Sequence, residues 1–255
     1  LEKTIERKSF PFENKIWKLE FNPNNGIGIE TRDEDNLIVH FTMMDLNSLA
    51  VVAEYSMEDA WWWKLAGINQ NAAAYQKFKT PDSLEELAVM VLDFSNGNVL
   101  FDRDGCSFLY LNENGVIVLD SEDKKKKQFN FQGEEIENNI QADANNTVNY
   151  PFQYFEGDTH FTDVAEFLQK NRKVAPVKLI EYTENEVGII ISYYLYGEDK
   201  TLLQYLEIFD LEGKLLMTEK IGDRLSGIGV DSFLIYNKKI ISIKNKRELT
   251  VYEVT

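Results

Sequence analysis

The chain is poor in the residues that carry most metal, redox and nucleophilic chemistry. Its 255 residues include one cysteine, Cys106, and two histidines, His40 and His160. A single cysteine excludes an intramolecular disulfide and any zinc centre built from several thiolates. Its expected place is a small buried position in the core. The two histidines are too far apart in sequence for a His-x-x-x-His metal pair. Positive charge is scarce as well: 27 Lys and Arg stand against 43 Asp and Glu, a formal net charge of −16. Binding to nucleic acid or to an anionic membrane rests on Lys and Arg neutralising phosphates, so neither partner is expected. Apolar runs such as Val187–Tyr196 fall well short of the roughly 20 residues of a membrane-spanning helix. The opening LEKTIERKSFPF has no apolar stretch of the kind a signal peptide needs. A cytoplasmic protein is therefore expected, although the sequence opens on Leu1 rather than Met and a trimmed segment stays open.

Catalytic motifs are missing too. Leu225-Ser226-Gly227-Ile228-Gly229 lacks the leading glycine of a nucleophile elbow. There is no glycine-rich loop ending in Gly-Lys-Ser/Thr. Gly26-Ile27-Gly28 and Gly227-Ile228-Gly229 both lack the third glycine of a dinucleotide fingerprint. No catalytic residue, metal ligand or cofactor is assigned.

What is present is a succession of short apolar segments, rich in Val, Ile, Leu, Phe and Tyr and bounded by Asn, Asp, Gly or charged pairs. They include Lys15–Phe21, Gly26–Thr31, Trp61–Leu65, Ala72–Phe78, Leu202–Phe209 and Leu249–Val254. Their spacing of about 10 to 12 residues is that of an all-β protein. A weak repeat runs through them. An apolar strand ends on Asp, turns, and leads into a second strand at Met43–Val51, Val91–Leu100 and Ile208–Leu216, and more loosely at Tyr110–Val116. Asp or Asn turns the chain by bonding its own backbone, and Gly or Asn takes the positive-φ position. Asp45 and Asp93 are 48 residues apart, and Trp17 and Trp61–Trp63 recur 44 to 46 apart, each followed by Lys-Leu. That is the length of a four-stranded propeller blade.

The predicted units are Lys15–Met57, Glu58–Asp104, a third from Cys106, Val177–Ile221 and the three-stranded Ser232–Val254, completed by an N-terminal strand near Lys3–Phe10. This closure leaves no open sheet edge. The fold expected is a single-domain small β-propeller over residues 1–255, with five four-stranded blades, or six. An insertion is expected over 129–175. Within it, Gln132–Asn149 reads as a long loop with rapid amide exchange. Phe161–Lys170 reads as one short helix, capped by Thr162 and favoured by Asp163 and Glu166 near its start. A second helical turn is expected at Ser83–Leu87.

The Asp-turn-Gly hairpins and the roughly 45-residue units resemble degenerate quinoprotein-type or WD-like β-propeller repeats. The segment from Leu179-Ile180-Glu181-Tyr182 through Ile189–Tyr194 to Leu206–Asp210 resembles an uncharacterised bacterial propeller-like family of unknown function. That resemblance implies the fold and no activity. The chain departs from WD repeats in lacking their Gly-His and Trp-Asp dipeptides, and its Trp and Gly positions are too irregular for a quinone site.

Candidate binding residues are Trp61 and Trp63, which would share one face of a strand and offer a stacking platform, together with Tyr193 and His160. The default reading of the same residues is core for the aromatics and a local hydrogen-bonding group for His160. Asp33–Asn36 and Asp102–Gly105 are expected in hairpin turns, with cation binding as the alternative. The basic run Lys124–Lys127, flanked by Glu122 and Asp123, reads as a solvated hairpin or loop. The expected function is a non-enzymatic, monomeric binding or scaffold protein for a protein or small-molecule ligand, with cations as a further partner. The alternative is a carbohydrate-active hydrolase using two carboxylates across one cleft.

Overall fold

The structure is a computed structural model that describes residues 3–79, 86–136 and 148–255. Among the described residues, twenty-one strands and one helix follow the turn chemistry of the sequence closely. Strand β1 (Ile5–Pro11) opens the chain. A first sheet follows as a meander of β2 (Lys15–Asn22), β3 (Gly26–Asp33), β4 (Ile38–Asp45) and β5 (Ala50–Met57). The second holds β6 (Trp63–Ile68), β7 (Ala72–Phe78), β8 (Glu86–Asp93) and β9 (Val99–Asp104). The third holds β10 (Cys106–Asn112), β11 (Gly115–Asp120), β12 (Lys126–Phe129) and β13 (Glu135–Ile136). The fourth has five strands: β14 (Phe152–Phe155), then, after helix α1 (Thr159–Arg172), β15 (Val177–Glu184), β16 (Ile189–Tyr196), β17 (Leu202–Phe209) and β18 (Leu215–Leu225). The fifth is made by β19 (Phe233–Tyr236), β20 (Lys239–Lys244) and β21 (Glu248–Val254), with β1 as its fourth member in the order β1-β21-β20-β19. The register runs unbroken from Ile5 opposite Val254 to Pro11 opposite Glu248. The protein is all-β with five antiparallel sheets, and the N-terminal strand completes the last sheet as expected.

Short polar side chains make the turns. Counting the fourth sheet from β15, between the first and second strands of successive sheets Asn22, Asn69, Asn112 and Asn185 each accept a backbone N–H two residues on. Between the second and third strands, Asp33, Asp120 and Asp199 do the same. Between the third and fourth, Asp45, Asp93 and Asn130 serve likewise, while Asp210 takes the amide of Lys214. These are the Asx bonds that favour Asn and Asp in tight turns. Glycine takes the positive φ at Gly97 and Gly213, but in the Met43–Val51 copy Leu49 does so.

The chain divides into two compact units. One is Leu1–Glu13 with Thr147–Thr255, and the other is Asn14–Asn146. The second contains the first three sheets. Its core includes Phe41, Tyr75 and Phe94, with Phe41 and Phe94 stacked at 5.4 Å. A neighbouring cluster gathers Val89, Val91, Val118 and Phe129 around Cys106. Cys106 is fully buried, and burial pushes its thiol up to about 11. In the first unit, α1 buries Phe161 and Leu168 against Ile180, Ile191, Tyr193 and Phe209. Its last turn is fixed by Arg172, whose Nε donates to the buried Glu207 at 2.9 Å.

Several expectations are corrected. The interval 129–175 is not one insertion, because Glu135–Ile136 finishes the third sheet and Phe152–Phe155 adds a fifth strand to the fourth. The basic run is half turn and half strand. Lys126 and Lys127 lie on β12, and Lys127 reaches Asp120 at 2.8 Å and Asp123 at 3.0 Å. Asp102–Asp104 are strand residues of β9, and only Gly105 turns. The helix is capped at Asp158 rather than Thr162, with Asp158 taking the amide of Phe155, and no acid lies in its first turn. The expected helical turn lies at residues outside those described, apart from Glu86 and Leu87, which are on β8. The expected long loop lies largely outside the described residues, although Asn149 bridges to Ile235.

Candidate functional site

The first strands of the three sheets in the Asn14–Asn146 unit share one irregularity. The ladder shifts between Ile16 and Lys18 on β2, between Leu65 and Gly67 on β6, and between Phe108 and Tyr110 on β10. Each shift is a β-bulge that leaves one residue unpaired: Trp17, Ala66 and Leu109. Bulges re-aim side chains and are frequent on edge strands, which these three are, as well as beside active sites. Beside two of them, an amide is satisfied by the preceding sheet. Leu65 N–H donates to the buried Glu30 carboxylate at 2.6 Å, and Phe108 N–H to the buried Gln76 amide oxygen at 2.6 Å. Glu30 and Gln76 hold corresponding places, opposite Lys18 and Lys64.

Glu30 also accepts Arg32 Nε at 2.7 Å, and both side chains are almost wholly buried. The Arg32 guanidinium donates to the carbonyls of Trp61 at 2.8 Å and Trp63 at 2.7 Å. It also lies over the rings of Trp17 and Trp61, at 4.8 and 5.0 Å. A planar cation with five donors suits this combination of fork and stack. At the turns, a second chain of bonds ties the sheets. Asn22 Nδ2 donates to Asn69 O, 47 residues on, and Asn69 Nδ2 to Asn112 O, 43 further, both at 3.0 Å.

Two recesses open along these strands. The larger, about 740 Å³, runs between the Asn turns and β10 and is walled by Phe21, Ile68, Leu109, Tyr110 and Phe131. The smaller, about 270 Å³, lies among Trp17, Lys18, Lys64, Phe78 and Phe108. They share Glu20, Ala66 and Phe108. All three bulge residues line one recess or the other. Gly67 is needed here, since a Cβ on it would come within 2.6 Å of the Phe108 ring. Glu20 is paired with Lys18 at 3.1 Å. Burial lifts its carboxyl above the ordinary value, against the pull of the Lys18 ammonium.

The sequence-based candidates fall in different places. Trp61 and Trp62 form a turn and β6 starts only at Trp63, so Trp61 and Trp63 do not share a strand face. Both accept from Arg32 through their carbonyls, and Trp61 also offers it a ring face. Trp63 is half-buried, with Lys77 over its ring at 5.5 Å. Neither tryptophan lines the two recesses. In the other unit, Tyr193 is only 2% exposed and stacks on Tyr205 at 5.8 Å, so it presents no ring face to a ligand. Burial and the neighbouring Glu207 push its hydroxyl upward. His160 is exposed on α1, 3.7 Å from Asp163 and against the Tyr154 ring at 5.2 Å. The Asp33–Asn36 segment is a hairpin turn, with Asp33 accepting the amides of Asp35 and Asn36. Among the described residues no three His, Cys, Asp or Glu side chains converge as a metal ion would require, and no helix is long and apolar enough to cross a membrane.

Sequence reasoning missed Trp17, Lys18, Lys64, Gln76 and the Glu30–Arg32 pair. The signal for the first three was visible: Trp17-Lys18-Leu19 and Trp63-Lys64-Leu65 are the same tripeptide at equivalent places.

Comparison with known proteins adds little about activity. A family described as a domain of unknown function (DUF4905) matches residues 22–101, less than half of the chain. No curated protein matches the sequence. Among solved structures, a member of the duf4221 family from Bacteroides vulgatus is 8% identical, with a TM-score of 0.37 over 100% of this chain and 98% of its own. BamB from Moraxella catarrhalis is 9% identical, with a TM-score of 0.38 over 98% of this chain and 100% of its own. The β-propeller domain of the trilobed protease from Pyrococcus furiosus is 10% identical, with a TM-score of 0.37 over 94% and 80%.

Proposed function

We propose that the chain is a non-enzymatic binding module that takes its ligand in the recesses along β2, β6 and β10. The observation that carries this reading is the set of bulges. The first strands of three sheets each surrender a ladder position, and the freed residues, Trp17, Ala66 and Leu109, line one or other of two recesses that meet at Ala66. The lining mixes aromatic rings with a few polar groups, which is the usual make-up of a small-molecule site. A hydrolase would need two carboxylates across one ligand; Glu20 and Glu113 both line the larger recess, but Glu20 is held by the ammonium of Lys18.

The test is a thermal-shift screen of the full chain against a broad panel of sugars, organic acids, nucleosides, amino acids and short peptides, repeated on Leu109→Ser. At least one class should raise the melting temperature of the parent, and the variant should lose the shift. A panel with no stabilising compound, or one whose hits ignore Leu109→Ser and Trp17→Ala alike, would defeat the reading.

A further inference from the structure

We propose that the larger recess takes an extended peptide segment, which adds as a strand to the free edge of β10. This rests on the binding reading above and names its ligand. The first observation is how the recess meets the strands. Side chains alternate between the two faces of a strand, so a recess over one face takes every second residue. This recess takes unbroken runs instead, Ala66–Ile68 on β6 and Phe108–Asn112 on β10. It therefore opens on the strand edges, where backbone N–H and C=O groups point. β2, β6 and β10 each stand at one end of their sheet, and among the described residues no strand pairs with their outer edges.

The second observation is that the chain covers the matching edges in its other unit with a segment of its own. Phe152–Phe155 pairs with β15, from Phe152 opposite Tyr182 to Phe155 opposite Leu179. Just before it, Asn149 lies on the edge of β19. Its N–H donates to Ile235 O and its carbonyl accepts Ile235 N–H, both at 2.9 Å. Leu111 holds the place in β10 that Ile235 holds in β19. Ile235 faces Ile240 next to the hairpin-closing pair Tyr236–Lys239, and Leu111 faces Val116 next to Asn112–Gly115. Alternate residues of an antiparallel ladder turn their N–H and C=O away from the partner strand. Leu111 therefore offers the recess the donor and acceptor that Ile235 gives to Asn149. On either side, Phe108 N–H is taken by Gln76 and Asn112 O by Asn69 Nδ2.

The third observation is the chemistry of the walls. Phe21, Ile68, Leu109 and Phe131 give the side chains of such a segment apolar cover. No Lys, Arg or His is among the described lining residues, and Glu20 is already paired with Lys18. An acidic segment would find no counter-charge there. The chain's own segment on β19 and β15, Asn149-Tyr150-Pro151-Phe152-Gln153-Tyr154-Phe155, is uncharged and carries four aromatic rings. The peptide that fits β10 is of this kind: extended, apolar and without acidic side chains.

Fluorescence anisotropy of the full chain with the labelled, end-capped peptide NYPFQYF tests this. Uncharged heptapeptides with Val, Leu, Phe or Tyr at alternate positions accompany it. At least one should bind at sub-millimolar concentration. Only alternate amides of an added strand face β10. N-methylation of one alternate set should therefore weaken that peptide about tenfold, and methylation of the other should change little. Leu111→Pro deletes an edge N–H and should cost about fivefold. If that variant melts below the parent, the methylated peptides carry the test. A glutamate at the central position of the peptide should weaken it. No binding by any of these peptides, equal losses from the two methylated sets, tighter binding of the glutamate peptide, or indifference to a folded Leu111→Pro would overturn the inference. If the broader panel then yields a non-peptide ligand that is lost in Leu109→Ser, the binding reading stands and only the peptide falls.

Discussion

Removing one half of the Glu30–Arg32 pair strands the other half in a dry interior. Both side chains are nearly inaccessible, and Glu30 carries two jobs, one oxygen on Arg32 Nε and the other on Leu65 N–H. Breaking a buried pair from one side costs about 3–5 kcal/mol, because an uncompensated charge remains. Arg32→Met should therefore unfold at markedly lower urea than the parent. Restoring neutrality with Glu30→Gln in the same chain should recover part of the loss, since Gln keeps an acceptor for Leu65. Equal midpoints for the parent and Arg32→Met would show that the pair is not needed for stability. This pair was not legible in the sequence. Glu and Arg two apart on a strand read as a solvated pair, and only the neighbouring sheet's tryptophan carbonyls make them internal.

The turn aspartates give the acid response. Side-chain and backbone bonds from Asn36 at Asp33, Ser95 at Asp93 and Thr201 at Asp199 hold those carboxyls below their ordinary values, and Lys127 with the Glu122 amide does so at Asp120. A lowered carboxyl stabilises the fold while ionised and loses that contribution as pH falls below about 4, through the folded value. Glu20 and Glu181 are raised by burial and have the opposite sign, so protonating them relieves the native state. The turn set is the larger, and stability should drop as pH falls below about 4. Asp120→Asn removes one member and should flatten the acid limb when urea midpoints are compared between about pH 3 and pH 6. An unchanged limb in that variant would place the acid sensitivity elsewhere.

At the scale of the element, turn residues and alternation made most strands readable. Ala72–Phe78 and Leu202–Phe209 match to the residue, because Asn or charged pairs flank a continuous β-rich run. The start of β6 was displaced by two residues because the chain turns at Trp61 and Trp62, closed by Trp63 N–H on the Ala60 carbonyl and flanked by the Arg32 bonds to Trp61 and Trp63. Phe152–Phe155 was missed because an isolated four-residue strand with exposed Phe152 and Phe155 has no burial pattern to read. The recess was legible only as a repeated Trp-Lys-Leu. A bulge is a property of register between two strands, and one strand's sequence does not contain it.

The asparagine ladder is an element-scale device with its own consequence. Asn69 accepts the amides of Asn71 and Ala72 and donates to Asn112 O. Each such bond contributes about 0.5–1.5 kcal/mol. Asn69→Ala should thus destabilise by about 2 kcal/mol, and Asn69→Asp, which keeps the acceptor and loses the donor to Asn112, by less. Gly115 is stricter. Its φ is +152° and a Cβ would collide with the Phe129 carbonyl, so Gly115→Ala should cost more than about 1 kcal/mol. Urea melts of the three variants rank these effects. Asn69→Ala as stable as the parent would remove the ladder from the account.

At the scale of the whole molecule, the charge of −16 is now placed. Part of it sits in turns where Asp33, Asp45, Asp93, Asp120, Asp199 and Asp210 bond the backbone that follows them. The last sheet is the other whole-chain feature, because it joins the first strand to the last. Without β1, strand β21 would present its outer edge from Glu248 to Val254, and unpaired edges recruit other chains. Three strands would remain in that sheet, two of them with the fully buried Ile240 and Tyr252. Deleting Leu1–Glu13 should therefore lower the unfolding midpoint and shift the protein toward dimers and larger species in size-exclusion chromatography. Adding a peptide of the β1 sequence, IERKSFP, in trans should reverse both by reoccupying the edge. A truncated chain that stays monomeric and melts with the parent would mean that β21 is protected without β1. The closure of the fifth sheet would then be incidental to the fold.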